Sequence, residues 1–256
     1  MKLHFRTIGT GKPLIILHGV FGSSDNWQTL GRDFAKYVKV YLVDLRNHGK
    51  SPHSDEFNYT TMVEDIIELL DDEGLEKVDL LGHSMGGKVA MYLAALHPEK
   101  VERLVVVDIA PKYYPPHHQQ IFDGFHSVNL TMLKSRKDAD EQMKAAIPNF
   151  AVRQFILKNL YRDTKGNFKW KLNIEAIEKG VKEVGAGLEA DVSFEGYSLF
   201  IAGSKSDYIT NDDYPMIQSL FPCAEIITIK GAGHWVHAEK PDELRESVLN
   251  FLNAQG

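Results

Sequence analysis

Short apolar segments alternate with segments of helical spacing along most of this chain, and this alternation limits the folds open to it. Strands that are apolar on both faces and separated by helices are typical of a mostly parallel sheet covered by helices on both sides. We therefore predict an α/β fold. The predicted strands are Lys2–Ile8, Pro13–Leu17, Val38–Val43, Val78–Leu81, Val101–Val107, Tyr197–Ile201 and Glu225–Ile229, and the predicted helices are Met62–Leu70, Gly86–Leu96 and Pro241–Leu252.

The alternation stops between about Pro111 and Gly196, where most segments are helical with a polar face. A loop of that length without structure of its own would be unusual in a compact domain. We therefore predict a helical cap at residues 111–196, inserted between two late strands. The predicted core then consists of residues 1–110 and 197–256.

A serine stands between glycines directly after one of the predicted strands, where residues 82–86 read Gly-His-Ser-Met-Gly. This is the G-x-S-x-G pattern of a nucleophile elbow, placed at a strand–turn–helix junction. Gly82 and Gly86 allow the strand and the helix to approach closely. The hydroxyl of Ser84 would lie at the helix N-terminus, where the helix dipole favours a developing negative charge. Ser84 is the predicted nucleophile.

A serine needs a general base to become a good nucleophile, and in this architecture the histidine comes last, after the acid. Residues 231–235 read Gly-Ala-Gly-His-Trp, between the last predicted strand and the last predicted helix. His234 is therefore the predicted base. His237 is the rival, but it lies closer to the final helix and off the glycine turn.

The developing oxyanion needs backbone N–H groups aimed at it. One donor is expected from Met85, which follows the nucleophile. The other is expected from the loop that follows the early strand Pro13–Leu17. Val20 is the predicted second donor in that loop, and Phe21 is the alternative.

Four segments that follow predicted strands contain glycine together with histidine or serine: they are 17–23 (Leu-His-Gly-Val-Phe-Gly-Ser), 44–51 (Asp-Leu-Arg-Asn-His-Gly-Lys-Ser), 82–87 (Gly-His-Ser-Met-Gly-Gly) and 231–235 (Gly-Ala-Gly-His-Trp). With these segments the chain resembles the α/β-hydrolase superfamily over nearly its whole length. The resemblance implies a mostly parallel α/β-hydrolase sheet flanked by helices.

Three further segments narrow the resemblance: they are Arg46-Asn47-His48-Gly49, Asp108-Ile109-Ala110-Pro111 and residues 233–241 (Gly-His-Trp-Val-His-Ala-Glu-Lys-Pro). In these the chain is most similar to the YbfF-type bacterial esterases. The resemblance implies a carboxylesterase or thioesterase that acts on a small ester or thioester and needs no cofactor.

Two aspartates compete for the role of the acid that orients His234. Asp207 follows the strand Tyr197–Ile201, the usual place in the superfamily, but the usual spacing falls on Ser206. Asp108 ends the strand Val101–Val107, and the YbfF-type resemblance implies an acid there. We favour Asp108 and keep Asp207 as the alternative.

The substrate-binding residues are expected near these loops and under the cap. Phe21, Tyr208 and Trp235 are the predicted lining residues, since they adjoin the presumed oxyanion, acid and base loops. The same fold and triad also serve carbon–carbon hydrolysis, lyase and perhydrolase reactions, and a non-catalytic small-ligand receptor is a further alternative.

Composition limits the partners and the compartment. The net charge of −6 argues against non-specific nucleic-acid binding. No apolar stretch is long enough to span a membrane, and the N-terminus shows no signal segment, so we expect a cytoplasmic protein. His117 and His118 have no third ligand at useful spacing, so no metal site is predicted. The single cysteine, Cys223, is expected to be a small packing residue.

Overall fold

The computed structural model describes residues 1–188 and 192–254, and its strands follow the alternation predicted from the sequence. Pro13–Leu17 and Val101–Val107 form strands with the predicted bounds, and the other predicted strands differ by one to three residues at their ends. The strands are β1 Phe5–Ile8, β2 Pro13–Leu17, β3 Lys39–Val43, β4 Val78–His83, β5 Val101–Val107, β6 Leu160–Arg162, β7 Phe168–Trp170, β8 Ser198–Gly203 and β9 Ala224–Ile229.

The helices lie between the strands and after the last of them. The structure adds a helix at Gln28–Phe34 that periodicity does not reveal. The helices are α1 Gln28–Phe34, α2 Tyr59–Asp72, α3 Met85–Leu96, α4 Gln119–Ser127, α5 Arg136–Met143, α6 Phe150–Leu157, α7 Ile174–Lys179, α8 Val181–Val184, α9 Tyr214–Leu220, α10 Val236–Glu239 and α11 Pro241–Ala254.

The main sheet has the strand order β1-β3-β2-β4-β5-β8-β9. Only β1 runs antiparallel to its neighbour, and the remaining pairs are parallel. This arrangement confirms the predicted mostly parallel sheet. Because parallel strands end at one edge, the loops after β2, β4, β5, β8 and β9 can meet there.

Two apolar cores cover the faces of the sheet. In β2, Ile15 and Leu17 belong to the core that also includes residues of α2 and α3, whereas Leu14 and Ile16 belong to the core under α1 and α11. Successive side chains of a strand point to opposite faces, so a strand buried on both sides is apolar throughout. The apolar runs in the sequence follow from this double burial.

The described residues between β5 and β8 form five helices, α4 to α8, and a separate antiparallel hairpin of β6 and β7. Residues 189–191 of the predicted cap lie outside the described residues. The division into a core and a cap at 111–196 stays a prediction. None of the described helices is long and apolar enough to cross a membrane.

A buried lysine on helix α3 binds the backbone of this inserted segment at two points. Lys88 on α3 is fully buried, and its ammonium donates to the carbonyl oxygens of Lys112 and Ala186 at 2.5 Å each. Burial, together with the neighbouring charge of Lys112, lowers the pKa of Lys88 to about 7. The backbone at Lys112 and at Ala186 is therefore held by the helix that follows Ser84.

The expectation for Cys223 is wrong. Its side chain is exposed, at the turn that leads into β9. The preceding Phe221 fills the interior instead, with its ring against Phe200.

Candidate active site

Ser84 lies on a strained turn between β4 and α3. Its φ of +52° falls in the left-handed region, which a residue with a Cβ rarely adopts. A Cβ on Gly82 would lie 2.2 Å from the carbonyl oxygen of Gly86, and one on Gly86 would lie 2.4 Å from that of Leu17. Glycine is therefore required at both positions for the strand and helix to meet at this turn.

His234 reaches Ser84 from the loop after β9. Its Nε2 lies 3.0 Å from the Ser84 hydroxyl, and its Nδ1 lies 2.8 Å from Oδ2 of Asp108. The carbonyl oxygen of His234 is 2.8 Å from Nε2 of His83, the residue before the serine. The turn that presents the Ser84 hydroxyl therefore also holds the backbone of the loop that carries His234.

Asp108, directly after β5, is the carboxylate that contacts the histidine. It is fully buried, with a φ of +52°. Its Oδ1 accepts from the amide of Gly203 at 2.8 Å, and its Oδ2 accepts from the hydroxyl of Ser206. Asp207 is exposed to solvent, one residue beyond that serine. The structure thus brings Asp108, and not Asp207, into contact with His234.

These contacts fix the protonation pattern of the histidine. We assign the proton to Nδ1 of His234, because an ionised carboxylate at Asp108 can only accept a hydrogen bond. Nε2 is then left with a lone pair that faces the Ser84 hydroxyl. In this arrangement a proton can pass from the serine to the histidine while the carboxylate stabilises the resulting imidazolium.

The loop after β2 distinguishes the two candidate oxyanion donors. The amide of Phe21 donates to Nε2 of His48 at 3.2 Å, so that N–H is already engaged. Val20 lines the cavities on both sides of Ser84. Met85 is the first residue of α3, where helix geometry provides no acceptor for its amide. These observations favour Val20 and Met85 as the donor pair.

A cavity of about 170 Å³ opens beside Ser84, and Phe21, Tyr208 and Trp235 all line it. Phe21 is only 2% exposed, because its ring packs edge-on against Phe122 of α4. Phe21 therefore offers the cavity little side-chain surface. Trp235 packs against Phe155 of α6, with the ring centroids 5.3 Å apart.

Tyr208 lies flat on the imidazole of His234. The ring centroids are 3.8 Å apart and the planes are inclined by 16°. The tyrosine hydroxyl is 2.6 Å from Nε2 of His117, a residue of the inserted segment. Burial and the nearby Asp108 raise the pKa of Tyr208 to about 12, so its hydroxyl stays protonated at neutral pH. This residue therefore restrains the histidine ring in addition to lining the cavity.

Several histidines around the site are buried and neutral. Burial, with the neighbouring His18, lowers the pKa of His48 to about 3. Burial, with His234 and Lys158 nearby, lowers the pKa of His237 to about 3 as well. His237 stacks on Trp27, at 4.8 Å between centroids, and lines the cavity beside Ser84, but among the described residues it is His234 that contacts the Ser84 hydroxyl.

Sequence reasoning missed how these histidines support the loops. His48 donates from Nδ1 to the carbonyl of Arg46 and accepts from the amide of Phe21. His18 likewise accepts from the amide of Leu45 at 3.0 Å. The segment Arg46-Asn47-His48-Gly49 indicated the family. A single sequence does not show which loop the imidazole of His18 or of His48 supports.

Because these histidines are buried, we predict that the free energy of unfolding falls in mild acid. Their folded pKa values lie below the unfolded value of about 6.5, so the unfolded chain takes up protons first as the pH drops. Stability is therefore complete above about pH 6.5 and is lost as the pH falls toward 3. At pH 5 each of His48 and His237 is expected to lower the free energy of unfolding by about 2 kcal/mol. Urea unfolding at pH 7 and pH 5 measures this.

A matched pair of variants assigns the effect. Nδ1 of His237 has no hydrogen-bond partner among the described residues, so His237→Phe removes the titration without removing a bond at that atom. This variant should lose less stability between pH 7 and pH 5 than wild type, by about 2 kcal/mol. The exposed His53 serves as the control, as His53→Gln. Equal pH dependence in His237→Phe and wild type would contradict the assignment.

Comparison with known proteins adds to this geometry. The α/β-hydrolase fold family matches residues 12–241. The chain is 41% identical over 257 residues to the sn-1-specific diacylglycerol lipase ABHD11 of Danio rerio, covering 95% of this chain and 79% of that protein. It is 35% identical over 242 residues to the esterase YbfF of Escherichia coli, covering 94% and 93%. A solved structure of a marine microorganism esterase is 43% identical, with a TM-score of 0.95 and coverage of 98% and 99%.

Proposed function

Because the chain belongs to the α/β-hydrolase family and is an ester hydrolase of that family, we propose that it is a serine carboxylesterase that uses Ser84, His234 and Asp108 as a catalytic triad. The continuous contact from the serine hydroxyl through the imidazole to the buried carboxylate carries the proposal. The substrate is a small carboxylic ester or thioester. Relatives named as esterases and as diacylglycerol lipases support this class of bond.

In the first half of the reaction, Oγ of Ser84 attacks the acyl carbonyl carbon while its proton passes to Nε2 of His234. Asp108 keeps the other ring nitrogen protonated and stabilises the imidazolium. The carbonyl oxygen becomes an oxyanion, which the amides of Val20 and Met85 stabilise in this mechanism. The tetrahedral intermediate collapses when the imidazolium gives its proton to the leaving alcohol or thiol, and the acyl group remains on Ser84.

In the second half, water takes the place of the leaving group. Nε2 of His234 removes a proton from the water as it attacks the acyl carbon, and the same oxyanion donors are used. Collapse returns the proton to Oγ of Ser84 and releases the carboxylic acid. Each proton taken up by the histidine is thus returned, and no cofactor enters the cycle.

The cavity volume predicts a short acyl or alkyl chain at the centre of the site. A cavity of 150 Å³ in another protein holds one benzene molecule, so about 170 Å³ accommodates roughly six carbon atoms. Initial rates on p-nitrophenyl esters from acetate to palmitate should therefore show the highest kcat/KM near butyrate or hexanoate. Longer chains would extend beyond the cavity without further gain.

Product analysis and acyl-enzyme detection test the function itself. Hydrolysis should release one carboxylic acid for each alcohol, and intact-mass measurement after rapid acid quenching should show the acyl group on the protein. A protein that turns over none of these esters or the matching thioesters would contradict the proposed function. An optimum at palmitate would contradict only the size argument.

Ser206 is expected to support the acid. Its hydroxyl donates to the same oxygen of Asp108 that contacts His234, and hydrogen bonds to charged groups contribute about 1.5–3 kcal/mol. Ser206→Ala should lower kcat/KM by about tenfold, because Asp108 is then held less firmly. Ser206→Thr, which keeps the hydroxyl, should recover much of the rate. Unchanged rates in Ser206→Ala would remove the serine from the mechanism.

A further inference from the structure

Positive charge is concentrated in one part of this acidic chain. Residues 130–171 contain ten Lys and Arg against four Asp and Glu, a net charge of +6. The rest of the chain therefore carries −12. Three of the four carboxylates in the segment are paired within it, as Asp140 with Arg153, Glu141 with Lys144 and Asp163 with Lys169. Most of the remaining cations therefore have no compensating charge within the segment.

The cations surround an exposed aromatic ring on one face of the segment. Arg136, Lys137, Phe150, Gln154 and Lys158 line one shallow depression, and we call these five residues the α5–α6 face. Leu157 and Asp140, the latter paired with Arg153, complete the lining of the depression. Phe150 is 63% exposed. Among the residues that the structure describes, no carboxylate is paired with Lys137 or Lys158.

The same segment holds the most exposed apolar side chains in the described part of the protein. Met132 at 70% and Phe150 at 63% exceed all other large apolar residues there. The Arg153 guanidinium contacts the Phe150 ring, 5.6 Å from its centroid. Arg153 is itself paired with Asp140. The α5–α6 face therefore combines an exposed aromatic ring with cations that are unpaired among the described residues.

Helix α6 joins this face to the active site. Phe150, Gln154 and Lys158 are four residues apart and therefore lie along one side of the helix. Val152 and Phe155 point the other way and line the cavity beside Ser84. Phe155 also packs on Trp235, the neighbour of His234. Whatever binds the outer side of α6 is therefore one helix diameter from the cavity.

We propose that the α5–α6 face docks on the surface of an anionic phospholipid bilayer. The basic side chains provide attraction to the acidic lipid headgroups, and Phe150 enters the interfacial region, as aromatic residues do in membrane-surface helices. Docking places the cavity next to lipid chains. An ester whose first carbons fill the cavity can then keep the rest of its chain in the bilayer.

A bilayer fits this face better than a protein partner. Stable protein interfaces have an apolar core and bury about 800 Å² on each partner. The α5–α6 face presents one large apolar ring within a rim of cations, which is the composition expected of an interfacial surface. The acidic remainder of the chain is expected to be repelled by the same bilayer, so that it binds in one orientation.

Vesicle flotation tests the proposal without depending on ester chemistry. The probes are vesicles of phosphatidylcholine, with and without phosphatidylglycerol, at low and at physiological salt. Wild type should float with the anionic vesicles only, and less at higher salt. The Lys137→Glu/Lys158→Glu variant should lose binding by more than about 30-fold, since each basic residue near the surface contributes about 1 kcal/mol and the two new carboxylates add repulsion. Phe150→Ser should lose about tenfold.

A matched charge reversal at the opposite edge of the sheet is the control. Lys12 and Lys77 line a depression at the amino ends of the strands, far from the cap. Lys12→Glu/Lys77→Glu makes the same change in net charge and should bind nearly as well as wild type. Equal losses in the two double variants, or no flotation of wild type, would overturn the proposal. Binding to heparin but not to vesicles would do so too, because the face would then take a polyanion in solution.

The assay also separates docking from catalysis. Ser84→Ala should float with anionic vesicles as wild type does, even if it hydrolyses nothing. Lys137→Glu/Lys158→Glu should keep its kcat/KM on soluble p-nitrophenyl butyrate and lose rate only on an ester presented in anionic vesicles. If that variant loses neither binding nor rate on vesicles, the α5–α6 face has no role at a membrane.

Discussion

Replacing Ser84 with alanine is expected to lower kcat for ester hydrolysis by about 10⁵-fold or more, the scale seen when a triad serine is removed elsewhere. The substitution deletes the only atom that forms the acyl-enzyme in the proposed mechanism. It leaves the oxyanion donors and the cavity in place, so a small rate above that of water remains. Stopped assays with p-nitrophenyl butyrate over long incubations measure the residual activity.

The size of that loss can be assigned to chemistry because the backbone is unaffected. Alanine keeps the Cβ of Ser84 and so keeps the same strained φ of +52°. The thermal midpoint should therefore change little. Intact-mass measurement should show an acyl group on wild type and none on Ser84→Ala. Activity within tenfold of wild type, with a normal thermal midpoint, would remove Ser84 as the nucleophile.

The second large effect is expected at Asp108, where replacement by asparagine should lower kcat by about 10⁴-fold. The amide nitrogen of the new side chain would donate toward Nδ1 of His234, which must then accept. The proton moves to Nε2, the nitrogen that faces Ser84, and the histidine cannot act as a base in that tautomer. The steady-state rate on p-nitrophenyl butyrate at neutral pH measures the loss.

Asp207→Asn is the matched control, since it makes the same chemical change at the competing position. Asp207 is exposed, whereas Asp108 is fully buried and contacts the base. The control should keep its activity within about twofold, because surface substitutions away from a site have small effects. A crippled Asp207→Asn together with an active Asp108→Asn would place the acid on the loop after β8 and would reverse our assignment.

The positions of Ser84 and His234 could be predicted because their constraints are local. An elbow needs glycine on either side of the serine, and Gly82 and Gly86 have no room for a Cβ. The turn at Gly231-Ala-Gly233 similarly marks the loop that carries the histidine, and Gly231 has a φ of +82°. Where close backbone contact requires glycine, the requirement is visible in the sequence.

Several structural elements were not predicted because they are too short to show a periodicity, among them helix α1 and the β6–β7 hairpin. Helix α1 has seven residues, including Gly31, which lies against Leu42, so that a Cβ there would be 3.0 Å from that side chain. The β6–β7 hairpin has only three residues in each strand. Neither element is long enough to show an apolar periodicity that distinguishes it from the neighbouring loops.

The sequence by itself determined the parallel sheet and the placing of Ser84 and His234 on the loops that follow their strands, because burial on both faces and tight turns restrict residue type position by position. Tertiary structure alone decided which carboxylate meets His234. Asp108 and Asp207 follow adjacent strands, β5 and β8, and both lie within reach of the same edge. The positive φ of Asp108 turns its side chain inward, while Ser206 fills the place that the rival loop would offer. The direction in which such a side chain points depends on the neighbouring strands. A single sequence does not specify which strands are neighbours.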